Sequence, residues 1–119
     1  MKRCFEIRHL NLANTGIEKF DINFEVSQLK VLNLSGSRIE DESLSTTSKW
    51  CSGLLSLDIQ NCLYVTTKGV REVIENCITL KELNLRNCSL VDGDFVCGLI
   101  HTRPSLRKII TPSGVDFYC

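Results

Sequence analysis

Leu80-Lys-Glu-Leu-Asn-Leu-Arg-Asn-Cys88 places apolar side chains at Leu80, Leu83 and Leu85 and a small one at Cys88. The centre, Leu83-Asn84-Leu85, alternates with period two, as in a short strand with one buried and one wet face. The pattern L-x-x-L-x-L-x-x-C recurs upstream as Leu54, Leu57, Ile59 and Cys62, and again as Leu29, Leu32, Leu34 and Ser37. Ile7, Leu10, Leu12 and Thr15 form a looser copy, and Leu106 with Ile109 opens a degraded fifth. The starts at 7, 29, 54, 80 and 106 lie 22, 25, 26 and 26 residues apart.

Self-similarity at this period is the signature of a leucine-rich repeat. The expected fold class is therefore α/β: a solenoid of about five repeats, wound as a right-handed βα superhelix with a parallel concave sheet and a helical or irregular convex side. Residues 1–119 are expected to form one domain, since no low-complexity segment or linker divides them. Each repeat is stable only because its neighbours cover it, and a first turn needs a polar cap. Met1 to Arg3 supply none, so the first strand's edge is expected to fray or stick. The chain reads as the C-terminal part of something longer, or as a shortened relative.

The return segments differ in quality. Ile17, Phe20, Ile22, Phe24 and Val26 predict an extended or irregular path. Between Ile39 and Cys51, Leu44 and Cys51 predict a helix capped by Asp41 or Ser43, although its Ser-Thr-Thr-Ser run has poor helix propensity. In the third repeat, Val70, Val73, Ile74 and Cys77 fall at i, i+3, i+4 and i+7, a single buried stripe behind a cap at Thr66 or Thr67. In the fourth, Asp92 stands near the start of a helix with Phe95, Val96, Leu99 and Ile100 inward. Pro104 ends that helix, and Val115 to Cys119 form a tail able to cover the last strand edge.

The seven cysteines follow the repeat. Cys51 and Cys77 are 26 apart, as are Cys62 and Cys88, and Cys4, Cys51 and Cys77 each precede their repeat's first apolar position by three. They read as small buried residues with a weak donor. Cys62 and Cys88 would lie about 4.8 Å apart on neighbouring strands, near enough for a bridge on distance alone. The opening residues carry charge rather than an apolar signal, so the expected compartment is the reducing cytoplasm or nucleus and the expected state is free thiol.

Fourteen basic and fourteen acidic residues cancel, which gives no electrostatic reason to expect nucleic acid or an anionic membrane as partner. No apolar run approaches the roughly 20 residues of a membrane span. His9 and His101 have no cysteine or carboxylate at metal or nucleophile spacing, and no C-x-x-C or phosphate-cradling loop occurs. The chain is thus expected to be no enzyme and to need no cofactor or metal, with His9 solvated.

Binding has the better claim. Between the last two core positions of each strand stand Asn11, Asn33, Asp58 and Asn84, one per turn. His9, Val31, Ser56, Glu82 and Lys108 flank them on one side, and Ala13, Ser35, Gln60 and Arg86 on the other. The candidate protein-binding residues are His9, Asn11, Asn33, Ser35, Ser56, Asp58, Gln60, Glu82, Asn84 and Arg86, a polar sheet suited to a protein ligand rather than a greasy pocket. The asparagine row also has a plain reading, as residues that tolerate solvent beside one another. On this assignment of faces, Asn84→Ala is expected to leave folding nearly intact.

Cys51-Ser-Gly-Leu-Leu-Ser-Leu-Asp-Ile-Gln-Asn-Cys62 and Cys77-Ile-Thr-Leu-Lys-Glu-Leu-Asn-Leu-Arg-Asn-Cys88, each followed by a short helix, resemble the cysteine-containing leucine-rich repeats of F-box proteins. Those proteins are the substrate receptors of Skp–cullin–F-box ubiquitin ligases. The likeness runs over about residues 4 to 111 and is strongest from 51 to 88. It implies a substrate-recognition module in ubiquitin-dependent protein catabolism, whose partner is a protein substrate. The F-box itself has no counterpart in these residues, so a Skp-type adaptor is implied only if a longer chain supplies one. The alternative is an intracellular scaffold or immune-receptor repeat region unrelated to ubiquitin.

Overall fold

The computed structural model describes residues 7–19, 28–103 and 105–118. Along the chain run β1 (His9–Asn11), β2 (Val31–Asn33), α1 (Asp41–Trp50), β3 (Ser56–Asp58), α2 (Thr67–Asn76), β4 (Glu82–Asn84), α3 (Gly93–Thr102), β5 (Lys108–Ile110) and β6 (Asp116–Tyr118). The strands form one open six-stranded sheet in sequential order. β1 to β5 are parallel, and their register, His9–Val31–Ser56–Glu82–Lys108, steps by the repeat spacing seen in the sequence. With a side-chain period of two, that register places Leu10, Leu32, Leu57, Leu83 and Ile109 on one face together.

The helices pack on that face. Leu32, Leu34, Leu57, Ile59, Leu83 and Leu85 join Leu44, Val70, Val73, Ile74, Val96 and Leu99 in a single core, with Leu10 and Leu12 only partly covered at the β1 end. The predicted stripe of α2 is buried in full, and Gly69 is buried with it. A Cβ on Gly69 would run into the Asp41 carboxylate.

α1 tolerates its serines and threonines because two of them turn back on their own helix. Thr47 Oγ1 donates to Ser43 O at 2.8 Å and Ser48 Oγ to Ser45 O at 2.7 Å, so both are buried and satisfied. In α3, Val96 and Leu99 are buried as expected, but Phe95 is only half-buried. Its ring carries the Arg71 guanidinium at 5.1 Å from the centroid, a use for a partly exposed aromatic face. The side chain of Ile100, the expected extended or irregular path where it runs through Phe20, Ile22, Phe24 and Val26, and Cys4, Pro104 and Cys119 lie outside the described residues.

The caps correct one expectation. Thr66 caps α2 through its Oγ1 and Asp92 caps α3 through its carboxylate, but neither Asp41 nor Ser43 caps α1. That place falls to Glu40, whose side chain makes no cap bond. Asp41, one residue inside, reaches to the next repeat. Its Oδ1 accepts from Thr66 N at 2.8 Å, and its Oδ2 accepts from Thr66 Oγ1. Thr67 Oγ1 accepts from Asp92 N at 2.7 Å in the same way. These side chains fasten successive helix starts together, because an acceptor there finds unpaired backbone donors on both its own helix and its neighbour's.

The end of the sheet departs from the repeat. Where earlier strands finish on asparagine or aspartate, β5 finishes on Ile110, and the chain reverses. Gly114 N donates to Thr111 O at 2.8 Å, with φ +89° at Gly114. Val115 N donates to Thr111 Oγ1 at 3.1 Å. The short loop returns β6 antiparallel against β5, so the tail covers the last edge as expected.

Candidate functional site

The sheet face opposite the helices displays the residues between the core leucines. His9, Asn11, Glu82, Gln60 and Arg86 are exposed or half-buried there, with Asn33, Ser56, Asp58 and Asn84 partly covered. A shallow depression of about 190 Å³ is lined by Ser56, Asp58, Glu82, Asn84, Lys108 and Ile110. The register thus brings the sequence-predicted residues of the middle repeats onto one surface. Ser35 is the exception: it is 8% exposed and does not open to a ligand. Its repeat turns at Gly36, where φ is +70°.

The asparagine row has a structural task. Asn11 Oδ1 accepts from Ala13 N at 2.9 Å, Asn33 Oδ1 from Ser35 N at 2.9 Å, Asp58 Oδ1 from Gln60 N at 3.0 Å and Asn84 Oδ1 from Arg86 N at 3.1 Å. Each is an Asx turn that ends the strand and steers the chain toward the helix side. One acceptor site per residue is therefore committed, leaving the amide nitrogens, the remaining oxygen lone pairs and the second oxygen of Asp58 for a ligand. Asn84→Ala consequently costs about 1 kcal/mol, the worth of an ordinary hydrogen bond, rather than leaving stability untouched. Urea unfolding of the variant measures this, and an unchanged midpoint would show the turn to be held by other groups.

A second column, not singled out from the sequence, completes the turn. Asn14, Gly36, Asn61 and Asn87 stand at equivalent positions with φ of 59°, 70°, 62° and 63°. Only glycine and asparagine take this left-handed conformation readily, so the alternation of those two residue types at the repeat spacing was the available signal. Asn87 Nδ2 also donates to Asn61 Oδ1 at 2.8 Å, tying adjacent turns together.

Directly after this column come the small residues. Cys62 Sγ donates to Leu34 O at 3.1 Å and Cys88 Sγ to Ile59 O at 3.0 Å, so each thiol spans to the preceding repeat. Cys77 Sγ lies 3.5 Å from Cys51 O in a second such column. All four are fully buried free thiols, whereas Cys97 is exposed. Burial pushes Cys51 up to about 11 and Cys77 and Cys88 up to about 12, with neighbouring Cys51 also raising Cys77. Burial raises Cys62 as well. Such thiols stay protonated and are poor nucleophiles.

Among the described residues, no three histidine, cysteine or acidic side chains converge as a metal site, and no helix is long and apolar enough to cross a membrane. The leucine rich repeat family model matches residues 79–101, a span that contains β4, the turn through Asn87 and Cys88, and most of α3. That match supports a leucine-rich repeat region and, with the displayed sheet face, a protein-interaction module.

Proposed function

We propose that this chain is the repeat region of an F-box-type substrate receptor: a leucine-rich repeat solenoid, without catalysis of its own, that recognises a protein destined for ubiquitin-dependent turnover in the cytoplasm or nucleus. The observation that carries the recognition role is the in-register sheet, which aligns side chains from several repeats on one face without using that face for packing. A rigid display of this kind suits a protein ligand, because little ordering entropy is lost on binding. The ubiquitin link rests on the cysteine-containing repeats. In its support, Cys62 and Cys88 occupy equivalent buried places with their thiols on the preceding repeat.

The test is affinity capture from cell extract, using this chain alone and joined to any F-box segment encoded upstream of it. A Skp-type adaptor recovered only with the upstream segment, and a common client recovered with both, is the expected result. Recovery of clients with no adaptor in either case would identify a scaffold unrelated to ubiquitin.

A further inference from the structure

The charges of this neutral chain are arranged unevenly, and the backbone shows how. Lys30 N donates to Arg8 O at 2.7 Å, Leu55 N to Lys30 O at 2.8 Å, Lys81 N to Leu55 O at 2.8 Å and Arg107 N to Lys81 O at 2.8 Å. Arg8, Lys30, Leu55, Lys81 and Arg107 therefore stand side by side across the starts of five strands, about 4.8 Å from one to the next. Four of the five are cationic. Like charges directly opposite on neighbouring strands repel, and Lys81 and Arg107 are such a pair.

Cations near helix C-termini have an ordinary use, in meeting the carbonyls left there. Lys30 Nζ reaches Gly53 O at 3.4 Å, and Arg103 donates to Ile74 O. Lys81 and Arg107 do neither. Both are exposed, and among the described residues neither enters an ion pair.

We infer that this row is a docking rim for an acidic polypeptide segment lying across the strand starts. The inference deepens the interaction-module reading and rests on it. From Lys30 to Arg107 is about 14 Å at the strand spacing, which about five extended residues cover. Half-buried Leu55 lies between the cations, so the segment carries an apolar side chain between its carboxylates. Glu82, next to Lys81 on β4, disfavours nucleic acid, whose phosphates bring continuous negative charge past it, whereas a peptide can place a neutral residue there.

The probe is a fluorescein-labelled peptide reading Glu-Asp-Leu-Glu-Asp twice over, followed by anisotropy. Binding is expected to weaken at least tenfold in the double variant Lys81→Gln/Arg107→Gln, and to weaken between about 50 and about 300 mM NaCl as screening shortens. Lys68→Gln, an exposed cation on α2 and away from the strand starts, is expected to leave affinity unchanged. Thermal melting of the double variant checks folding, and relief of repulsion predicts a midpoint no lower than that of the unaltered chain. Absence of peptide binding, equal binding by the double variant or by the Gln-Asn-Leu-Gln-Asn counterpart, or tighter binding of an oligonucleotide of equal charge would overturn the inference. A client captured equally by the unaltered chain and the double variant, but lost when Gln60 and Glu82 are changed, would leave the module reading standing and remove only the rim.

Discussion

Leu83→Asp unfolds the central repeats. Leu83 is 2% exposed in the middle of the sheet, between Leu57 on β3 and Ile109 on β5, and beneath the helix layer. A carboxylate there has no donor to meet it, and an unpaired buried charge costs several kcal/mol even after relaxation. Removing the leucine forfeits about 2–5 kcal/mol of packing as well. Together these consume most of the roughly 5–15 kcal/mol that holds a domain folded. Because neighbouring repeats shield one another, the loss spreads to β3 and β5 rather than staying local. Circular dichroism and urea unfolding measure it. Leu83→Met, which conserves volume, should cost less than about 1.5 kcal/mol. A small effect from the aspartate would mean that the two sheet faces have been assigned the wrong way round.

The second large effect is alkaline. A thiol whose folded pKa lies above its unfolded value binds its proton more tightly when folded. Its contribution is therefore complete below the ordinary value of 9.0 and is lost as pH rises toward the folded value. For Cys51, Cys77 and Cys88 the window runs from 9.0 to between about 11 and about 12. Stability therefore falls from pH 8 to pH 10, by an amount on the order of a few kcal/mol for the buried thiols together. Urea midpoints at pH 8 and pH 10 test this. Cys88→Ala should flatten the pH dependence in part while costing some stability at pH 8 through its lost contact with Ile59 O. Equal stability at the two pH values would mean that the thiols are solvated in the native state.

The repeat period, the faces of the strands and the buried cysteine columns were legible because they depend on patterns within single repeats. Leu80, Leu83, Leu85 and Cys88 need only the pleat and the turn that follows to be told apart from Glu82 and Asn84. Since the same pattern recurs at 22, 25, 26 and 26 residues, the strand register could be read by superposing copies, and the pairings agree with it. The helix stripe of Val70, Val73, Ile74 and Cys77 was legible for the same local reason.

What the tertiary structure decided concerns groups whose partners lie a full repeat away. Asp41 looked like the cap of its own helix, but a carboxylate in the first turn can serve its own backbone or the next repeat's, and only the stacking distance selects Thr66. Asn33, Asp58 and Asn84 looked free to meet a ligand, whereas each has one oxygen held by a backbone donor two residues on, which depends on the dihedral angles of the turn. Ser35 passed for a surface residue until the fold enclosed it. Hydrophobic periodicity is written along the chain, but the direction of a polar bond and the alignment of distant charges exist only once the strands lie side by side.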